Sequence, residues 1–293
     1  MLGEVLTAIL TPFHGDGSVD VDAFKRLAGH LVDNGSDGLV VAGTTGEAPT
    51  LTDAEKLELF AAALEAVGDR ATVVANTGTY DTQHSADLTG EAHDLGVHAF
   101  LAVTPYYNKP PQRAIVRHFQ EIACMTDKPV FVYNIPSRVV VNVEPATMDV
   151  LSEIENVKGV KQASPDLAEA KHIVDAGLTL YAGDDNLVLP FVELGGEGGV
   201  CVHTHVWGPQ TKEMIGRAKS GDLDGARRLN EEMAPAYELL KIQTNPIPIK
   251  AAMNLLGHEL GGYRLPMVEP TDDELAQVRA CLERAGVLEP VRA

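Results

Sequence analysis

Val157-Lys158-Gly159-Val160-Lys161-Gln162-Ala163-Ser164-Pro165-Asp166 reads as one strand handing over to one helix. A short apolar β segment ends on a lysine, and Ser164-Pro165-Asp166 is a helix start. A lysine at the C-terminal end of a buried strand is an unusual placement. Its ammonium is costly to bury unless it is paired or its pKa falls, and a lowered pKa is what an imine-forming lysine needs. A rim lysine whose stem snorkels to water is the plain alternative. The strand–helix unit decides the fold, and it recurs on both sides.

Towards the N-terminus, strands are predicted over Val5–Leu10, Gly38–Ala42, Thr72–Ala75, His98–Val103 and Pro129–Tyr133. The helices between them are Asp20–Asp33, a run from Thr52 to Val67, Thr82–Leu95, Pro111–Met125 and a short Pro145–Ser152. Thr52 and Glu55 have the spacing of a capping box. Towards the C-terminus follow helix Asp166–Asp175, strand Leu178–Ala182, helix Leu187–Leu194, strand Gly199–Val202 and helix Trp207–Lys219. Eight strand–helix units predict an α/β fold, a (β/α)8 TIM barrel over residues 1–221. An open doubly wound sheet is the competitor, but no Gly-x-Gly-x-x-Gly follows the first strand. Residues 222–293 read as a C-terminal helical appendage, with helices Leu223–Lys241, Pro248–Leu256 and Asp272–Ala285.

The chain has 293 residues, 45% of them hydrophobic, which suffices for a full core. A net charge of -19 argues against nucleic acid or an anionic membrane as partner. Cys124, Cys201 and Cys281 are scattered, with no Cys-x-x-Cys, which fits a reducing compartment. The start, Met1-Leu2-Gly3-Glu4, lacks the pattern of a signal peptide, and no apolar run reaches a membrane span. A cytoplasmic protein is expected.

In a barrel the strand C-terminal ends share one mouth. Those ends carry Gly43-Thr44-Thr45-Gly46-Glu47, Asn76-Thr77-Gly78, Thr104-Pro105-Tyr106-Tyr107-Asn108-Lys109-Pro110, Tyr133-Asn134-Ile135-Pro136-Ser137-Arg138, Lys161 and Gly183-Asp184-Asp185. The mouth is rich in hydroxyls and phenols, with Arg138 and Lys161 as its cations. No His–carboxylate cluster suited to zinc or magnesium stands out, so no metal and no cofactor is expected. Thr44-Thr45 between glycines supplies donors for a carboxylate, or simply caps a loop. Tyr107 and Tyr133 can pass protons if aligned, or pack. Arg138 can fork onto a carboxylate, or form a surface ion pair. Together they are the parts of a Schiff-base enzyme acting on an α-keto acid.

With these segments and Asn245-Pro246-Ile247-Pro248-Ile249-Lys250, the chain resembles the pyruvate-dependent class I aldolase family over essentially its whole length. Within it, the likeness is to the members that condense pyruvate with L-aspartate 4-semialdehyde to 4-hydroxy-tetrahydrodipicolinate, in lysine and diaminopimelate biosynthesis. The resemblance implies that Lys161 forms an imine with pyruvate and that Tyr133 moves the proton at the imine carbon. Thr44 and Tyr107 would extend a proton relay, the Tyr107 equivalent crossing a tight dimer in family members. Thr45 and its loop amides would hold the pyruvate carboxylate, Arg138 the carboxylate of the semialdehyde. The carbonyls of Gly183 and Val200 would line the site. A homotetramer, a dimer of dimers, is implied as well.

Some positions depart from the family pattern. Gln162 stands where many relatives are acidic, and His203 and His205 stand where Thr and Asn are usual. A His-x-His pair can ligate a metal, but no third ligand is evident. Tyr80 and His84 replace the Asn and Glu of the lysine feedback pocket, although Tyr106 is kept. Weak or no inhibition by L-lysine is therefore expected. Sister aldolases acting on N-acetylneuraminate or keto-deoxy sugar acids share the lysine, the tyrosine and the Gly-Thr-Thr-Gly loop. Arg138 favours an acid-bearing aldehyde over a polyol. A non-catalytic keto-acid sensor would not need the full set, and a metal-dependent class II aldolase would need a ligand cluster.

Overall fold

In the computed structural model, which describes residues 2–289, the repeated unit closes on itself. Strands β1 (Val5–Ala8), β2 (Gly38–Val41), β3 (Thr72–Asn76), β4 (Ala99–Val103), β5 (Val130–Asn134), β6 (Val157–Gln162), β7 (Thr179–Ala182) and β8 (Gly198–Cys201) pair in parallel and in chain order. The last returns to the first through Leu6 opposite Val200, so no strand edge is left open. The returning helices are α1 (Val21–Asp33), α2 (Asp53–Val67), α3 (Thr82–Leu95), α4 (Gln112–Ala123), α5 (Pro136–Val139), α6 (Pro145–Ser152), α7 (Leu167–Asp175), α8 (Val188–Glu193) and α9 (Thr204–Lys219). The chain is thus a TIM barrel, followed by α10 (Leu223–Glu232), α11 (Ala234–Leu239), α12 (Ile247–Leu255) and α13 (Asp272–Arg284). None of the described helices is long and apolar enough to cross a membrane.

The period-2 alternation of each strand sorts its side chains between two cores. One core fills the barrel: Leu6, Val40, Val74, Leu101, Phe131, Tyr181 and Val200. The other lies between barrel and helices and takes the alternate residues, such as Val5, Leu39, Val73, Phe100, Val132 and Val160. Side chains of this size each contribute about 1.5–3 kcal/mol when fully buried. The inner layer needs glycine where strands crowd. A Cβ on Gly159 would fall 2.4 Å from the Thr179 carbonyl and 2.5 Å from the Phe131 ring.

Local signals set the helix starts. Thr52 Oγ1 accepts from Glu55 N–H (3.3 Å) while Glu55 Oε2 accepts from Thr52 N–H (2.8 Å), the capping box expected from their spacing. Differences from the sequence reading have local causes. The helix expected over Leu223–Lys241 is two, α10 and α11, because Pro235 has no N–H to continue the ladder. The helix after β8 begins three residues early, at Thr204, and kinks at Trp207 (φ -111°, ψ 31°), just before Pro209. Residues 185–187 form a 3-10 turn that delays α8 by one residue. Pro136–Val139, part of the segment quoted at the end of the fifth strand and given no element of its own, is the short helix α5, with proline at its first position. Strands β3, β5 and β6 each run one residue further, taking in Asn76, Asn134 and Gln162.

Candidate active site

Register brings the central pair together. Tyr133 on β5 stands opposite Lys161 on β6, and Lys161 opposite Tyr181 on β7. Val160 faces the outer core, so alternation turns Lys161 inward, beside Tyr133. The Lys161 Nζ lies 4.2 Å from the centroid of the Tyr133 ring. Both side chains are buried, 6% exposed each.

Tyr133 also forms part of the wall of a cavity of about 550 Å³, together with Thr44, Arg138, Asn76, Thr77 and Tyr106. Lys161, Thr45, Gly183 and Val200 are not on that wall; Lys161 joins it through Tyr133. Gly183 follows β7 directly, where a Cβ would fall 2.8 Å from that of Ala163, and Val200 is part of the inner core. Asp184, next to Gly183, is charge-coupled to both cations. Desolvation and the adjacent Asp185 raise its carboxyl above the ordinary range, while Lys161 and Arg138 pull the other way.

The Gly43–Glu47 loop is held from the far end of the chain. Thr45 Oγ1, buried, accepts a hydrogen bond from Asn245 Nδ2 (2.9 Å). Two residues on, Glu47 forms a fully buried ion pair with Lys250 of α12 (3.0 Å) and accepts from Arg264 N–H. Asn245 and Lys250 lie in a segment already singled out as a motif, but their partners are about 200 positions away. Asn245 Oδ1 is buried with no partner among the described residues. Beside Arg138, the cavity wall carries a lysine absent from the sequence reading. Lys56 pairs with Asp53 (3.0 Å), which in turn meets His84 Nε2 at 2.6 Å. The helical spacing of Lys56 and Asp53 was legible; their place in the mouth was not, because it depends on the 3-10 turn Ala48–Thr50, which leads from the Gly43–Glu47 loop into α2 along the cavity wall.

Tyr107 is not gathered into the site of its own chain. It adopts φ 72° and is 90% exposed, while Tyr106 takes the inward place, edge-on to Tyr80 at 5.3 Å. The two histidines of the eighth-strand loop are buried and engaged. His205 Nε2 takes the Leu10 N–H (3.2 Å) and its Nδ1 meets the Val202 carbonyl; burial lowers its pKa to about 4, so it is neutral. His203 spans Asp185 and Thr211 Oγ1. Asp185, Cys201 and His203 come close enough to hold a cation, yet the donor set is poor. Asp185 Oδ1 already accepts from Val202 N–H, His203 N–H and His203 Nδ1. Burial holds the Cys201 thiol protonated.

The arrangement offers a buried amine beside a phenol, a hydroxyl-lined wall and a guanidinium, that of Arg138, without an ion-pair partner among the described residues. Comparison with known proteins gives the same direction. The model of the dihydrodipicolinate synthetase family matches residues 1–285. The chain is 47% identical to 4-hydroxy-tetrahydrodipicolinate synthase of Moorella thermoacetica, over 98% of this chain and 99% of that protein. It is 46% identical to the enzyme of the same name from Mycolicibacterium paratuberculosis, over 98% and 96%. Among solved structures it resembles DHDPS from Cyanidioschyzon merolae with lysine bound: TM-score 0.96, 39% identity, 98% of this chain and 99% of that one. The chain belongs to the dihydrodipicolinate synthetase family.

Proposed function

We propose that this chain is a lyase of the 4-hydroxy-tetrahydrodipicolinate synthase type, condensing pyruvate with L-aspartate 4-semialdehyde on the route to lysine and diaminopimelate. The Lys161–Tyr133 pair, set by strand register, with Tyr133 in the wall of a hydroxyl-lined cavity, is the observation that carries the reading. The name shared by the relatives gives the product, 4-hydroxy-tetrahydrodipicolinate, and the semialdehyde is the partner that this product requires.

In this reading Lys161 Nζ attacks the pyruvate ketone and water leaves, forming an imine. The imine draws electrons from the methyl group, which loses a proton and becomes an enamine carbon. That carbon attacks the aldehyde of the semialdehyde and its oxygen takes a proton. The substrate amine then attacks the imine carbon and releases Lys161, so no cofactor is consumed. Tyr133 donates and accepts the protons on the oxygen and nitrogen bound to that carbon, as water leaves and later as Lys161 leaves, and Thr44 continues the relay. Thr45 and its loop amides hold the pyruvate carboxylate, and the carbonyls of Gly183 and Val200 line the second substrate's place. Arg138, without an ion-pair partner among the described residues, takes the semialdehyde carboxylate.

Tyr107 fits the relay only if it is supplied by a neighbour. Its exposure and left-handed backbone favour an assembly in which the partner subunit's Tyr107 approaches Thr44, within a dimer of dimers. Sedimentation analysis tests this: a monomer with full activity would remove Tyr107 from the mechanism. We place the enzyme in the cytoplasm, with its pathway. The function itself is tested by turnover with pyruvate and either aspartate semialdehyde or sugar-acid aldehydes, with borohydride trapping. Expected are an adduct on Lys161 and turnover with the semialdehyde; turnover with a polyol aldehyde alone would make it a sister lyase.

A further inference from the structure

On the outward face of the same two strands, directly behind Tyr133 and Lys161, lies a polar cluster that the mechanism above does not use. Asn134 Nδ2 donates to Asn142 Oδ1 (2.7 Å) and to Gln162 Oε1 (2.9 Å). Asn142 Nδ2 donates to Glu169 Oε1 (2.6 Å), and Gln162 Nε2 donates to Glu169 Oε2 (3.1 Å). Asn134 Oδ1 accepts the Val143 N–H (3.1 Å). The four side chains thus form a closed ring in which every amide and carboxylate oxygen has a partner, although Asn134 and Gln162 are buried. A polar network is favourable in such a place only when it is complete.

What the ring encloses is the chain between Tyr133 and Asn142. That chain carries Arg138 on the single turn α5, and α5 ends at Val140 with φ 69° and ψ -19°. A β-branched residue is disfavoured there, and such a conformation persists only where its surroundings impose it. Val140 is 66% exposed, so its own side chain does not hold it. The anchors are the buried Val139 before it and the ring after it, where Gln112 Nε2 also donates to the Asn142 carbonyl (2.8 Å).

We propose that the Asn134–Asn142–Glu169–Gln162 ring positions Arg138, and so sets affinity for the carboxylate of the second substrate. The ring residues touch no substrate; they are positioning residues, and the inference rests on the reading of Arg138 given above. It also accounts for Gln162. With Glu169 supplying the one carboxylate of the ring, a second acid at 162 would set two carboxylates against each other.

The test exchanges the two chemistries. Gln162→Glu places a carboxylate against Glu169 and removes a donor, and is expected to raise KM for aspartate semialdehyde roughly tenfold. KM for pyruvate and borohydride trapping on Lys161 should stay within about twofold, since imine formation does not use Arg138. The defect should shrink at acid pH, where one carboxyl of the pair is protonated and can donate. Gln162→Glu/Glu169→Gln restores the order of donors and acceptors around the ring, and should bring KM back to within about threefold of the parent. Asn142→Ala, at the loop end, should raise the same KM without adding a charge to the strand. Equal loss for both substrates, an unchanged semialdehyde KM in both Gln162→Glu and Asn142→Ala, or no recovery in the exchanged pair would each overturn the proposal. Arg138→Ala separates the two readings. An unchanged semialdehyde KM in that variant overturns both, whereas a raised KM there with silent ring variants overturns the positioning role alone.

Discussion

Lys161 and Lys250 are both buried lysines, and their surroundings could hardly differ more. Lys250 is 0% exposed and completely compensated. Its Nζ donates to Glu47 Oε1 (3.0 Å) and to the Thr11 carbonyl (2.9 Å), and it lies 4.3 Å from the Phe13 ring centroid and 5.1 Å from that of Tyr263. Burial lowers its pKa and the Glu47 carboxylate resists the change. Lys161 is 6% exposed and has the Tyr133 ring beside it, with no hydrogen-bonded carboxylate or carbonyl among the described residues. Lys250 has its donors occupied and holds the chain together. Lys161 has its nitrogen free for a carbonyl carbon. Burial makes a lysine unusual; what decides between structure and chemistry is whether its donors are satisfied.

The largest effect should come from breaking the reactive side. Lys161→Ala is expected to lower kcat on the order of 10⁴-fold or more, the scale of losing a covalent nucleophile. Borohydride with pyruvate should then leave no adduct, as read by mass spectrometry. Residual turnover near the parent rate would end the distinction between the two lysines.

The structural side should break differently. Glu47→Gln leaves the Lys250 ammonium buried without its counter-charge, a loss of about 3–5 kcal/mol in unfolding free energy. Lys250→Met should cost a similar amount by stranding Glu47. The double variant should recover part of the loss, because it leaves neither charge buried without its partner. Urea unfolding of the four proteins measures this, and additive losses would show that the two residues act independently.

A smaller effect sharpens the reactive side. Tyr133→Phe keeps the ring against Lys161 but removes the proton-carrying hydroxyl. Its kcat should fall on the order of 10²-fold, the usual size of an acid–base contribution. An unchanged kcat would reduce Tyr133 to packing.

The same contrast explains what the sequence made legible. The barrel and the places of Lys161 and Tyr133 at strand ends follow from short periods: strand alternation and the repeated strand–helix unit. The Thr52–Glu55 capping box is of this kind too. Glu47–Lys250, Asn245–Thr45 and the ring through Glu169 are not, since each depends on side chains that meet only once the barrel has closed. Asn134 and Gln162 sat next to residues chosen for their chemistry, yet alternation turns them to the opposite face, where nothing local names their partners. Tyr107 was readable as a phenol but not as one that its own chain leaves in solvent. The break at Pro235 was legible and a helix drawn through it was the error.

Lys56 supplies the case between the two. It is as buried as Lys161, at 6%, but it is paired like Lys250, and it lines the same cavity as Tyr133. Its partner Asp53 lines that cavity too, together with Tyr80 and His84. An L-lysine molecule entering there would need an acid for its side-chain ammonium, and Asp53 is engaged twice, by Lys56 at 3.0 Å and by His84 at 2.6 Å. Partial burial pushes its carboxyl up, yet the hydrogen bonds and charges of His84 and Lys56 hold its pKa below the ordinary value. Added L-lysine would have to displace one of those partners, and its charge would be met by Lys56. Initial rates with L-lysine should therefore stay at the uninhibited value through the submillimolar range. An inhibition constant in that range would mean that Asp53 gives up its partners readily, and that pairing at Lys56 is weaker than its burial and distance imply.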